Sequence, residues 1–302
     1  METGLMVFFR RYMRLSISNP GVELQAWLVL SRVAALPTVW SNCLAAWVLS
    51  GGGSATRMVG LTLGASLLYV GAAWLNDFFD AEFDRQRRLA RPLVSGWIAH
   101  DAVGKLGALW LVLGAVLLVV SGAHLAPVFL VLTLAMLYDR FHNVTKLSPV
   151  LLGLCRFFLY VAVASAAPRG VTGFLLWCGI ALGAYVGATG HVAQNSAARD
   201  LIQRWPLFLL GAPVVLALLA NRGEYQQPSI WLSFVLALWV LPCLRHALRG
   251  ENSNRKLTVS GLTAGIVLVD LLATGGESPT TIVIFGLLFV LCLALQRYAP
   301  GT

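Results

Sequence analysis

The chain has 302 residues, of which 58% are hydrophobic and only 12% are charged. Soluble domains carry about a quarter charged residues, so this composition excludes an ordinary soluble domain and indicates a polytopic membrane protein. The formal net charge is +9, from 22 Lys and Arg against 13 Asp and Glu. Because the basic residues lie mostly in short segments between apolar stretches, the excess indicates membrane orientation and not nucleic-acid binding.

The apolar stretches predict an all-α bundle of nine or ten transmembrane helices, since a span needs about 20 apolar residues. Residues 1–23 lack a signal-peptide cleavage site and are interpreted as a cytoplasmic lead-in. Residues 24–297 form a single transmembrane domain in this interpretation, and residues 298–302 are a tail. The predicted spans are 24–49, 58–75, 102–121, 125–138, 149–166, 172–192, 205–220, 229–247, 258–273 and 279–296.

The basic residues indicate how these spans are oriented. With ten spans and a cytoplasmic N-terminus, the inner segments hold 17 Lys and Arg residues and the outer loops hold three, Arg57, Arg169 and Arg222. This asymmetry is the one that the positive-inside rule describes. It predicts that both termini lie in the cytoplasm.

A cluster of carboxylates follows the second span, in the segment NDFFDAEFDRQRRLARP at residues 76–92. At helical spacing Asp77, Asp80 and Asp84 share one edge of a helix end. Three neighbouring acids repel one another unless a cation lies among them, and hard oxygen ligands suit Mg²⁺. The spacing therefore predicts a magnesium site, on the cytoplasmic side, although a solvated helix end is the alternative.

The carboxylates are followed by arginines, whose planar guanidinium groups suit bidentate contacts to phosphate oxygens. A site for Mg²⁺ and a polyphosphate at this position therefore has its ligands in one short segment. The candidate phosphate-binding arginines are Arg85, Arg87, Arg88 and Arg91.

The pattern N-D-x-x-D-x-x-x-D with R-P a few residues later resembles the first Asp-rich motif of the UbiA superfamily of intramembrane prenyltransferases. The matching residues are Asn76, Asp77, Asp80, Asp84 and Arg91–Pro92. The resemblance implies a UbiA-like bundle with a central cavity facing the cytoplasm. It also implies that a prenyl diphosphate binds through Mg²⁺ at Asp77, Asp80 and Asp84, with Asn76 among the substrate-binding residues.

A second Asp-rich motif of that superfamily corresponds here to residues 185–200, YVGATGHVAQNSAARD, and this segment departs from the pattern. Only Asp200 remains as a carboxylate, with Gln194 and Asn195 as neutral oxygen ligands. We therefore expect one metal ion, held mainly by the first motif. His191 and Asp200 are the candidates for accepting the proton that leaves during the reaction. The alternative is that this segment is only a polar helix end.

Three further basic residues are candidates for the substrate site. Arg140 and Lys146 follow the fourth span and are candidate diphosphate ligands, with ordinary positive-inside flanking as the alternative. Arg156 lies within the fifth span, where an arginine costs about 2.5–3.5 kcal/mol on insertion scales. It should therefore face the bundle and have a partner, either an anionic headgroup or an aspartate.

Two polar residues of the first span, Asn42 and Arg32, resemble positions that the superfamily places near the pocket, and Asn42 is taken as substrate-binding. Asp270 lies in a late span without a neighbouring base in the sequence and is expected to be structural or to line the cavity.

The expected activity is transfer of an isoprenyl group from a prenyl diphosphate to an aromatic or other lipophilic acceptor, in a bacterial cytoplasmic membrane. Two alternatives stay open, and the weak second motif suggests the first of them. One is a protein that transports or handles a lipophilic metabolite without standard catalysis, and the other is a structural membrane subunit of a biosynthetic assembly.

Overall fold

The computed structural model describes residues 20–87, 93, 98–141, 145, 147–194, 205–220, 226–248, 255–275 and 277–298. These residues form helices and connecting turns, with no strand among them. The helices in chain order are α1 Pro20–Leu30, a 3-10 turn Val33–Ala35, α2 Leu36–Leu49, α3 Ala55–Arg87, α4 His100–Val120, α5 Leu125–Phe141, α6 Ser148–Ser165, α7 Gly173–Gln194, a 3-10 helix Trp205–Gly211, α8 Ala212–Ala220, α9 Gln226–Leu248, α10 Arg255–Ala273 and α11 Pro279–Tyr298.

The predicted all-α membrane architecture is confirmed. Seven helices in the described part of the chain are long and apolar enough to cross a membrane, and Val33–Leu49 and Trp205–Ala220 are shorter apolar helices. Large apolar side chains are exposed along the outside of the bundle, as expected for helices that face lipid. The choice between nine and ten spans stays a prediction.

The first two predicted spans differ most from the observed helices. The first span, predicted at 24–49, is interrupted at Ser31 and Arg32, where Arg32 adopts a left-handed backbone conformation with φ 47° and ψ 41°. The second span does not end at residue 75, because α3 continues to Arg87. Residues 72–87 contain neither glycine nor proline, so the sequence holds no helix-breaking residue over this extension.

Hydrogen bonds at the ends of the helices show that α2 to α7 alternate in direction. At one end of the bundle, the backbone N–H of Arg169 donates to the carbonyl oxygen of Ser50 at 3.0 Å. At the same end, the backbone N–H of His124 donates to Ser165 Oγ at 2.9 Å. The carboxyl end of α3, with the acidic segment, therefore lies at the opposite end.

The helices around the acidic segment form a ring of four. Helix α2 packs on α3 and on α6, and helix α5 packs on the same two helices. The described parts of α3 and α6 do not pack on each other over an extended stretch. A second ring is formed by α2, α6, α7 and α10, each packed on the next. Helices α2 and α6 are thus a wall common to the two rings, which we call the α2–α6 wall.

Close contact between α3 and α4 depends on glycine. A Cβ atom at Gly71 would lie 2.7 Å from the backbone nitrogen of Leu111 and 2.8 Å from the carbonyl oxygen of Gly107. Backbone atoms of a neighbouring helix cannot move aside singly, so the two helices would have to separate. This contact sets the position of α3 and of the acids at its end.

Gly71→Ala is therefore expected to destabilise the protein by about 1–3 kcal/mol, the usual range for overpacking. The measurement is the thermal unfolding midpoint in detergent. Gly286→Ala is the matched control, because a Cβ at this helical glycine has nothing within 4 Å. Equal midpoints for the two variants would show that α3 and α4 do not need this close approach.

Candidate active site

Three polar side chains at the end of α3 are buried although they follow a membrane span. Asn76, Asp77 and Asp80 are only 5%, 7% and 6% exposed. The alternative of a solvated helix end therefore does not hold for these residues. Burying carboxylates costs free energy unless a positive partner lies close to them, so their surroundings matter.

The positive partner is Arg32, which lies where the first span is interrupted. Arg32 Nη2 donates to Asn76 Oδ1 at 2.6 Å and to Asp77 Oδ1 at 3.2 Å. The interruption turns the backbone at Arg32 so that its side chain reaches across to α3. The resemblance places Arg32 near the pocket, and in the structure its side chain lies directly against the acids.

The left-handed conformation of Arg32 costs a residue with a Cβ about 1–2 kcal/mol relative to glycine. Arg32→Gly and Arg32→Ala both remove the contacts to Asn76 and Asp77, but only the glycine variant also removes this strain. We expect Arg32→Gly to be more stable than Arg32→Ala by about 1–2 kcal/mol in denaturant unfolding. Indistinguishable stabilities would mean that position 32 does not hold the left-handed conformation.

Helix α5 brings a further acid and a phenol to the same place. Tyr138 lies within electrostatic range of Arg32, Asp80 and Asp139. The side chain of Asp139 is buried. Sequence reasoning gave Asp139 no role, because a single acid at the end of a span forms no motif. The sequence does show that Asp139 ends the fourth span, on the same predicted side of the membrane as the acidic motif.

The donor set fits a hard divalent cation. Asp77 and Asp80 supply carboxylate oxygens one helical turn apart, and Mg²⁺ prefers one or two carboxylates together with phosphate oxygens. No group of three or more His, Cys, Asp or Glu residues within the described side chains is close enough to hold a metal ion alone. Asp84 is the third predicted ligand, and its side chain is not among the described side chains.

Of the other residues predicted for this end of the bundle, some lie among the described residues and some do not. Arg85 on α3 and Arg140 on α5 are exposed. His191 on α7 is half-buried, and Gln194 Nε2 donates to Ser148 Oγ, which joins the ends of α7 and α6. Five predicted residues lie outside the described residues, namely Arg88, Arg91, Lys146, Asn195 and Asp200.

Arg156 makes its contacts inside the bundle. Its Nη1 donates to Asn42 Oδ1 at 2.6 Å and its Nη2 donates to Thr38 Oγ1 at 3.0 Å. Its guanidinium carbon lies 5.6 Å from the centre of the Tyr69 ring, within the range of a cation–π contact. The sequence predicted a partner that was a headgroup or an aspartate, whereas the direct partners are a neutral amide, a hydroxyl and an aromatic ring.

Asn42 also links Arg156 to an aspartate, Asp270. Asp270 on α10 is fully buried, and its Oδ2 accepts from Asn42 Nδ2 at 2.7 Å and from Ser41 Oγ at 2.5 Å. Its Oδ1 accepts from the hydroxyl of Tyr160 at 2.5 Å. Asn42 thus bridges a buried cation and a buried anion, across the α2–α6 wall. We call this arrangement the Arg156–Asn42–Asp270 bridge.

The fold and the buried polar groups define an intramembrane helical protein with buried acids beside Arg32 at one end of its bundle. Residues 34–203 match the model of the UbiA prenyltransferase family. The chain belongs to this family, which confirms the resemblance seen in the acidic motif. No curated protein matches the chain significantly.

Solved structures share the fold at low sequence identity. A digeranylgeranylglyceryl phosphate synthase is 17% identical, with a TM-score of 0.59 over 83% of this chain and 97% of the other. A UbiA homologue from Aeropyrum pernix K1, without ligand, is 18% identical, with a TM-score of 0.59 over 78% and 94%. A UbiA homologue from Archaeoglobus fulgidus, bound to GPP and Mg²⁺, is 14% identical, with a TM-score of 0.50 over 90% and 99%.

Proposed function

We propose that the chain transfers an isoprenyl group from a prenyl diphosphate to an aromatic or other lipophilic acceptor within the membrane, and that it requires Mg²⁺. The observation that carries this proposal is the buried pair Asp77 and Asp80 beside Arg32, because acids and a guanidinium together suit a metal-bound diphosphate. Membership of the family supports it, as does the presence of GPP and Mg²⁺ in the Archaeoglobus homologue.

In this proposal Mg²⁺ is held by Asp77 and Asp80, with Asp84 as the third ligand that the motif supplies. When bound, the ion neutralises charge on the diphosphate and so makes it a better leaving group. Asn76 and Asp77 are held in place by Arg32, which keeps the carboxylate from turning away.

Positive side chains receive the diphosphate. Arg32 Nε is buried and makes no hydrogen bond to any described residue, so one N–H of this guanidinium is still available to a phosphate oxygen. The other residues proposed for this role are Arg85, Arg88, Arg91, Arg140 and Lys146.

The transfer breaks the bond between the allylic carbon and the diphosphate oxygen, and the diphosphate leaves with the electron pair. The acceptor supplies the electron pair of the new bond to that carbon and loses a proton. Apolar walls protect the cation-like carbon from water. We assign the acceptance of the proton to His191 or Asp200, at the end of α7 and just beyond it.

The proposal is tested by incubating the purified protein with labelled farnesyl or geranylgeranyl diphosphate, Mg²⁺ and a membrane extract. A labelled lipophilic product that requires Mg²⁺ is the expected result. Binding of the prenyl diphosphate with neither product nor diphosphate release would instead favour a handling protein.

We also propose that residues 24–297 are one domain in a bacterial cytoplasmic membrane, with the acidic site facing the cytoplasm. The distribution of basic residues supports this orientation. In a variant without the native cysteines, Arg140→Cys is expected to react with a membrane-impermeant maleimide only after the cells are opened. Arg57→Cys should react in intact cells, and the reverse pattern would invert the orientation.

A further inference from the structure

Three exposed basic residues lie at the ends of the last three helices. They are Arg245 on α9, Lys256 on α10 and Arg297 on α11, and we call them the basic patch. Cys292 Sγ on α11 donates to the carbonyl oxygen of Ala34, in the 3-10 turn before α2, at 3.3 Å. Because that turn lies beside the buried acids, this end of α11 belongs to the end of the bundle that holds the acidic segment. The basic patch is nevertheless no part of the proposed diphosphate site.

Side-chain contacts join the three helix ends at one level of the bundle. Gln296 Nε2 on α11 donates to the carbonyl oxygen of Ser260 on α10 at 3.0 Å. Trp239 Nε1 on α9 donates to the next carbonyl oxygen, that of Gly261, at 2.8 Å. A Cβ at Gly261 would lie 2.7 Å from Cys243 Sγ, so α9 is close to α10 here as well. Each residue of the basic patch follows within about 6 Å along its own helix, so the three cations lie at a similar depth.

Helices α9 and α11 leave a groove between them. Both pack on α10, but their described parts do not pack on each other over an extended stretch. The rings of Trp239 on α9 and Phe289 on α11 meet edge to face, with their centroids 4.8 Å apart. Because Trp239 also donates to α10, these two half-buried rings form an apolar floor for the groove.

The outer faces of α9 and α11 are apolar up to the basic patch. Leu238, Leu241 and Arg245 are exposed and lie at spacings of three and four residues, on one face of α9. Val290 and Arg297 are exposed and lie two helical turns apart on one face of α11. Both arginines therefore continue faces that contact lipid, at the level where hydrocarbon gives way to headgroups.

Acidic residues do not neutralise the basic patch. In the sequence no Asp or Glu lies within one helical turn of any of its three residues. Other exposed basic residues at this end of the bundle have an acid within one turn, namely Arg85 after Asp84, Lys105 after Asp101 and Arg140 after Asp139. The basic patch thus concentrates positive charge at the membrane surface, where it attracts anionic headgroups.

We propose that the basic patch and the groove between α9 and α11 bind an anionic phospholipid of the surrounding membrane. Its phosphate lies among Arg245, Lys256 and Arg297, because guanidinium groups make bidentate contacts to phosphate oxygens and lysine adds a compact charge. Its acyl chains lie along the groove, over Trp239 and Phe289. The bound lipid fills the gap between α9 and α11 and so stabilises the position of α11 beside the turn that precedes α2.

The test measures by native mass spectrometry how much dioleoyl phosphatidylglycerol and dioleoyl phosphatidylcholine the purified full chain retains from an equimolar mixture. The two lipids have the same acyl chains and differ in headgroup charge. Wild-type protein should prefer the anionic lipid at least about 25-fold. Arg245→Gln and Arg297→Gln should each lower this preference about fivefold, and the double variant about 25-fold, since each base contributes about a factor of five at an anionic surface.

Lys105→Gln is the matched control, because Lys105 is an exposed base at the same end of the bundle with Asp101 one turn before it. This variant should keep the wild-type preference. Equal retention of the two lipids by the wild type would overturn the proposal. An equal loss in Lys105→Gln and Arg245→Gln would also overturn it, because the preference would then reflect net charge and not a site.

Two competitors separate the lipid from other anions. Inorganic phosphate at the same concentration as the lipid should displace none of it, and full displacement would show that the ligand is a free anion. Binding of farnesyl diphosphate with Mg²⁺ should be the same in the wild type and in the double variant Arg245→Gln with Arg297→Gln. If that binding is weakened instead, the basic patch serves the prenyl diphosphate and the inference is wrong.

Discussion

Asp80→Asn is expected to lower the release of diphosphate from farnesyl diphosphate by about 10²–10³-fold. This range corresponds to a loss of about 3–4 kcal/mol of charge stabilisation at the departing group, within the several kcal/mol that a bound metal supplies. Asparagine keeps the size of the side chain and removes the charge of the buried carboxylate. Raising the Mg²⁺ concentration should recover part of the activity, because the substitution weakens the affinity for the metal.

The matched control is Asp101→Asn. Asp101 lies on α4 at the same end of the bundle, but its side chain is 87% exposed and its near neighbour is His100. This variant should release diphosphate at the wild-type rate, and thermal unfolding should show that both variants are folded. Unchanged release by Asp80→Asn would remove Asp80 from the site.

Asp270→Leu is expected to lower the free energy of unfolding by about 3–5 kcal/mol, because it leaves Arg156 buried without its countercharge. The loss is larger than a single hydrogen bond would give. Tyr160→Phe, which removes only the 2.5 Å bond to Asp270 Oδ1, should cost about 1–3 kcal/mol. Both values are measured by denaturant unfolding in detergent micelles.

The double substitution Asp270→Leu with Arg156→Met provides the control for this prediction. Replacing both charged members of the Arg156–Asn42–Asp270 bridge removes the uncompensated buried charge, so at least about 1 kcal/mol of the loss in Asp270→Leu should be recovered. Stability should stay below that of the wild type, because the amide of Asn42 and the hydroxyl of Tyr160 lose their buried partners. If the double variant is as unstable as Asp270→Leu, the loss comes from packing at position 270 and not from charge.

The acidic motif could be predicted from the sequence because its parts are local. Asn76, Asp77 and Asp80 follow one another at helical spacing, and their burial on α3 agrees with a site at that place. The helical architecture was predictable for a similar reason, since each span is a continuous apolar stretch. Both predictions use only residues that are close to one another along the chain.

The bridge could not be predicted in the same way, because its members are 114 and 228 residues apart in sequence. Asp270 has no base near it in the chain, and only the packing of α10 against α2 brings it to Asn42. The position of Arg32 was hidden for a different reason. Its left-handed conformation interrupts an apolar stretch that contains no glycine at that point, so the sequence shows a continuous span.

The wall of α2 and α6 between two rings of helices has a consequence for how such proteins diversify. Asp270 lies in the last third of the chain, beyond residues 34–203 that match the family model, yet it makes hydrogen bonds to side chains on both helices of that wall. Exchanges in this C-terminal portion can therefore change the hydrogen bonds around Asn42 and Arg156 without touching the acidic segment of α3. The polar interior of the bundle and its acidic end can diverge separately in such a chain, each under mutations of its own.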